Sequence, residues 1–301
     1  MHSKKQGAIL VPVDFSEVSA YAIDHATAMG KIFGYRIYLL NIIGEKQIGT
    51  DAGKAAEETL TTLSQHLSQD FGLNVTPLVK AGPVISTICE TASTLDAEFI
   101  VIGADRQKGL KRLMQSYPYK LVCCASMPTL VVKDKNHHVG YHNVVIPIDF
   151  TRRSTQKVTQ AARFSKFFGA RIRVFGFLSS ENKAKIINKE ALLKSVTDFF
   201  EGTDVPVTAD LMINPDYSWP EALLGFADKV DADLIMIVAE KGNRIQEIFS
   251  QNYAERILDK SDVPVLSIVP CPDDIKEESS GSGKDLIRPF LDPLGLILRP
   301  E

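Results

Sequence analysis

Pro12-Val13-Asp14-Phe15-Ser16 and Pro147-Ile148-Asp149-Phe150-Thr151 stand 135 residues apart, and the comparison of these two stretches decides the fold. Each follows a short apolar run, 8–13 in the first case and 144–148 in the second, that reads as a buried strand ending on an aspartate. The offset persists through both halves. Gly34 answers to Gly169, Arg36 to Arg171, Ile37 to Ile172, Asp96-Ala97-Glu98 to Asp231-Ala232-Asp233 and Ile102 to Ile237. It slips by one only near the ends of the halves, where Pro128 answers to Pro264. A period this long is not a solenoid unit; it predicts two copies of one domain. The length prior of roughly 150 residues per domain agrees.

Working outward, each half reads β-α-β-α-β-α-β-α-β. Ser16 is placed to cap the first helix, Ala22, Ala26, Met29 and Phe33 give it an apolar face, and Gly34 is placed to end it. Further strands are predicted at 35–43, 74–80, 99–102 and 129–132, with helices over 50–71, through Ile85, Ile88 and Ala92, and over 111–124. In the second half strands fall at 144–148, 172–177, 205–211, 234–238 and 265–269, and helices at 155–168, 183–200, 220–229 and 246–259. Strands alternating with helices imply a parallel sheet covered on both faces. The predicted organisation is a first domain over 1–134, a linker over 135–142, a second domain over 143–271, a Gly/Ser spacer over 272–283 and an apolar tail over 284–301.

Net charge is -3, which provides no basic field for nucleic acid or an anionic membrane. No run approaches the ~18–20 apolar residues of a membrane span, and no signal-peptide core follows Met1. The expected location is the cytoplasm, with Cys89, Cys123, Cys124 and Cys271 as free thiols. His137, His138 and His142 cluster in the linker without a completing ligand set, so no metal is expected. Neither a Ser-His-Asp order, an H-E-x-x-H nor a P-loop is present, and the chain reads as a non-enzyme.

The strand-end Pro-x-Asp-Phe-Ser/Thr, the five-strand alternation and the late Pro-x-Leu-x-x-Val strand together resemble the universal stress protein family over residues 7–270. The resemblance implies two tandem five-stranded α/β domains related by a pseudo-two-fold axis, an internal pseudo-dimer whose closing strands 129–132 and 265–269 meet. Nucleotide-binding members carry G-x-x-G, nine residues, then G and Ser/Thr in the last crossover, while the strand-end aspartate contacts adenosine. Here the first half keeps Gly103 but has Arg106 at the second glycine and Ser116-Tyr117 at the final pair. The second half has Val238, Lys241, Gln251 and Asn252 at the four positions. Glycines admit close backbone approach to phosphate, and bulky side chains crowd it. The implied cofactor-binding set is therefore Asp14, Gly103, Arg106 and Ser116; no cofactor is expected, with ATP or another adenine nucleotide as the alternative. Asp14 has a structural alternative as well, capping the turn that follows it.

The tail changes character. Leu286, Phe290, Leu291, Leu294 and Leu298 are apolar anchors around Asp292-Pro293-Leu294-Gly295, which has the residues of a type I turn. Eighteen residues cannot bury these side chains among themselves. Either this is a native docking tail or a partner's peptide joined through a flexible spacer, which raises effective concentration to about the mM range. Both readings predict an adaptor in the stress response that binds a short apolar, proline-containing peptide of a protein partner. The alternative is a nucleotide or anion sensor using Asp14 and the basic loop of Arg106, Lys108, Lys111 and Arg112.

Overall fold

The computed structural model describes residues 6–104, 117–133, 140–148, 161–162, 164–179, 182–201, 204–238 and 251–268. The chain divides into two units, 1–139 and 140–301.

The first unit runs β1 (Ala8–Pro12), α1 (Glu17–Phe33), β2 (Arg36–Ile43), a single 3-10 turn (Glu45–Gln47), α2 (Asp51–Phe71), β3 (Val75–Ala81), α3 (Val84–Leu95), β4 (Phe99–Gly103), α4 (Tyr117–Cys124) and β5 (Thr129–Val132). Its strands lie in the order β3-β2-β1-β4-β5, and every pair is parallel. Ile9, Leu10, Val11, Leu39, Leu40, Ile100 and Val101 are all sealed from solvent. Such strands read as unbroken apolar runs because helices cover both faces.

The punctuation follows local chemistry. The Ser16 hydroxyl accepts from the Ser19 amide at the start of α1. Gly34 ends that helix with φ of 69°, its amide donating to the Gly30 carbonyl. α2 begins at Thr50 and ends at Gly72, again left-handed with φ of 65°, and buries little beyond Gly53, Leu60 and Ser64. α3 ends on Asp96, whose φ of 55° is unusual for a residue with a Cβ.

The second unit contains β6 (Asn143–Ile148), helical residues 164–168, β7 (Arg171–Leu178), α5 (Lys183–Phe200), β8 (Val207–Ile213), α6 (Trp219–Lys229), β9 (Leu234–Val238), α7 (Gln251–Lys260) and β10 (Val265–Ile268). Its strand order is β10-β9-β6-β7-β8, all parallel, which is the order of the first unit read from the other side. The left-handed backbone positions repeat too. Gly169 (φ 63°) matches Gly34, and Asp231 (φ 49°) matches Asp96.

One strand departs from the sequence expectation. The run placed at 205–211 forms its ladder at Val207–Ile213 instead. Pro206 has no amide to donate, so it sits just outside the strand, its carbonyl accepting the Ile172 amide at 2.8 Å. Pairing with β7 then continues as far as Leu178↔Ile213. Helix residues expected at 111–116, 155–160 and 246–250 lie outside the described residues.

Candidate functional site

β1 delivers the chain to the carboxyl edge of the sheet beside β4, at the point where the strand order reverses direction. This is where open α/β sheets bind ligands. Two contacts fix the end of the strand. The Val13 amide donates to the Leu40 carbonyl at 2.8 Å, and the buried Asn41 side-chain amide donates to the Val13 carbonyl at 2.7 Å. The chain then turns through Phe15, which holds φ of 62° with its ring 44% exposed. A left-handed residue with a Cβ costs roughly 1–2 kcal/mol, which the anchored neighbours sustain.

Asp14 Oδ1 accepts hydrogen bonds from the Ser16 amide at 3.0 Å and from the Ser16 hydroxyl. Partial burial pushes its pKa up, but the Ser16 hydrogen bonds, with help from Ser19, outweigh this and hold the carboxyl below its ordinary value. Asp14 is thus an exposed, ionised acceptor at the rim that also braces the turn.

Beneath it opens a cavity of about 310 Å³. Pro12, Val13, Leu40, Ile42 and Ile102 supply apolar wall, Val84 stands at its α3 side with 46% exposure, and Tyr117 enters from α4. The Tyr117 hydroxyl has its pKa raised by burial first, then by the negative charges of Asp14 and Cys89, so it stays protonated. The site therefore offers one fixed acceptor, one neutral hydroxyl and an apolar body.

Gly103 lies in the cavity wall for a reason other than the expected one. Its φ is not left-handed. Instead, a Cβ at this position would lie 2.1 Å from the Val18 carbonyl oxygen, 2.3 Å from its carbon and 2.7 Å from the Ser19 amide nitrogen. The first turn of α1 rests directly on β4, and only glycine admits that approach. Packing against α1, and not a left-handed backbone, is what calls for glycine here.

Of the predicted residues, the structure brings Asp14 and Gly103 together around one cavity. Arg106 and Ser116 lie outside the described residues, as do Leu286, Phe290, Leu291, Leu294 and Leu298. Sequence reasoning missed Asn41, Val84 and Tyr117 as parts of the site. Asn41 carried a signal, being the one amide side chain in the strand and set in the apolar stretch after Tyr38. Among the described residues no group of three or more His, Cys, Asp or Glu is arranged to hold a metal, and no helix is long and apolar enough to cross a membrane.

A parallel five-stranded sheet with its candidate site at the end of β1 is the architecture of an open, doubly wound α/β domain. Residues 7–133 match the model of the universal stress protein family, and the first unit belongs to that family. A universal stress protein of Methanocaldococcus jannaschii is 26% identical over 140 residues, spanning 42% of this chain and 81% of that protein. Likeness across both units comes from solved structures. A universal stress protein from Archaeoglobus fulgidus superposes with a TM-score of 0.70 at 18% identity, covering 88% of this chain and 97% of its own. A universal stress protein from Pseudomonas aeruginosa, described as putative, gives 0.68 at 16% identity, covering 96% and 98%. At these identities the likeness is one of fold, and it extends the architecture to the second unit.

Proposed function

We propose that this chain serves the stress response in the cytoplasm as a binding protein and not as a catalyst, taking a short apolar, proline-containing peptide of a protein partner at the first unit. The observation that carries this reading is the cavity at the end of β1. It is mostly apolar, it has the size for one anchoring side chain, and it opens beside the exposed Phe15 and Val84. Anchors of this kind, set in a pocket with a polar rim, dominate peptide recognition. Phe290 or Leu294 supplies the anchor, and Arg288 supplies a cation for the ionised Asp14.

Titration of residues 284–301, as a labelled peptide, into residues 1–278 tests this. Saturable binding lost on Phe290→Ala or Leu294→Ala and on Val84→Asp supports it, and an absence of binding removes it.

A second reading is favoured by the polar groups. The ionised Asp14 beside a protonated Tyr117 suits a small ligand bearing N–H or O–H donors, and in the sequence Arg106 follows Gly103 by three residues, a residue type that pairs with anions. Under this reading the protein is a nucleotide or anion sensor. Calorimetry with ATP, ADP, AMP and cyclic nucleotides decides it, since silence at about millimolar ligand excludes useful affinity.

A further inference from the structure

We propose that the second unit has closed its counterpart of this cavity with its own side chains, Trp219 acting as a built-in plug. The first residue of the helix after the third strand then selects whether a unit takes a ligand. Only the count of one ligand site per chain rests on reading the first-unit cavity as a binding site; the plug stands on its own geometry.

The two units align position by position. In the ladders Pro12 pairs with Leu40, and Pro147 with Phe175. Two residues further along the same strands, Ile42 becomes Phe177. Val84 opens α3, and Trp219 opens α6. Tyr117 stands 12 residues before β5 (129 − 117), and Tyr253 stands 12 before β10 (265 − 253). Thus three wall positions that are aliphatic in the first unit are aromatic in the second, around a tyrosine common to both.

Those aromatics meet one another. The Trp219 ring is edge-on to Tyr253 at 5.1 Å and to Phe175 at 5.7 Å, and contacts Phe177 at 6.2 Å. Phe175 stacks in turn on Phe226 at 4.5 Å. All of these separations lie in the range where ring pairs attract. The consequence for exposure is direct: Val84 is 46% exposed at its cavity, whereas Trp219 is 9% exposed and Tyr253 is 6%. The indole occupies the place where the first unit is open. The sequence around it prepares that entry, since the Ser218 amide and hydroxyl both donate to Glu221 and Pro220 follows in the first turn.

Trp219 is the chain's one tryptophan, so its emission reports this position alone. In the full chain, emission blue-shifted from free tryptophan and poorly quenched by acrylamide is expected. Emission and quenching like those of free tryptophan overturn the proposal, and this measurement needs no variant. The variant test uses Trp219→Ala in a Val84→Trp background, which blocks the first-unit cavity by the same device. Trp219→Ala should lower Tm, and indole should restore it saturably with one equivalent bound, whereas Val84→Trp alone should bind none. A Trp219→Ala chain whose Tm is unchanged, or which folds and ignores indole, refutes the plug. A failed peptide titration leaves all of these results intact, so the two proposals fail separately.

Discussion

Gly103→Ala tests how the site is assembled. The added Cβ meets backbone on the α1 side, 2.1 Å from the Val18 carbonyl oxygen. Real Cβ contacts essentially never fall below 3.0 Å, so helix and strand must separate by at least 0.9 Å (3.0 − 2.1). No side-chain rotation relieves this, because the obstacles are Val18 and Ser19 main chain. A gap of 0.5–1 Å forfeits about a quarter to a half of each dispersion contact it opens, and Ala22 and Ala26 of α1 are fully buried. Overpacking generally costs 1–3 kcal/mol, and the rigidity of the obstacle places this case at about 3 kcal/mol. For a unit of this size that is roughly a 10 °C fall in Tm. Denaturant unfolding of the full chain should show a lower midpoint for the affected transition at unchanged slope. A loss below about 0.5 kcal/mol refutes the packing argument. If stability held while ligand binding vanished, the glycine would serve the ligand directly.

Other outcomes follow from the same geometry. Gly225→Ala meets nothing within 4 Å on α6 and should stabilise by about 0.5–1 kcal/mol, whereas Gly53→Ala would bring its Cβ 2.3 Å from the Gln47 carbonyl oxygen and should destabilise; chemical denaturation of both reports opposite signs. Asp96→Gly and Asp231→Gly relieve left-handed residues and should each raise stability by about 1 kcal/mol, additively because the sites are distinct. Asp14 has its folded pKa depressed, so its charge stabilises the fold above the unfolded value of about 3.9, and that contribution disappears as pH falls through the folded pKa. The stability difference between wild type and Asp14→Asn should therefore shrink as pH is lowered below about 4, and a difference that grows there contradicts the assignment.

The sheet was readable because buried parallel strands announce themselves as contiguous apolar runs, and because Ser16, Gly34 and Gly169 mark helix ends by rules that act over a few residues. The site was only half legible. Asp14 could be placed at a strand end, but Asn41, Val84 and Tyr117 reach the cavity from three different elements, and no local pattern records that convergence. The reason for Gly103 was hidden in the same way: its neighbour in space is Val18, 85 residues earlier in the chain (103 − 18). Pro206 shows a smaller failure, where the apolar run continues but the missing amide displaces the ladder.

The aromatic filling of the second unit has a consequence for thermodynamic linkage. A ligand held by the first unit stabilises it in proportion to the logarithm of ligand concentration, about 2.7 kcal/mol at a hundred times Kd. Trp219 is tethered by the chain itself and cannot be diluted away, so the second unit holds its filling at every concentration. On the two proposed readings together, the chain carries an internal standard: one half whose resistance to unfolding would follow the supply of ligand, beside another whose resistance would not.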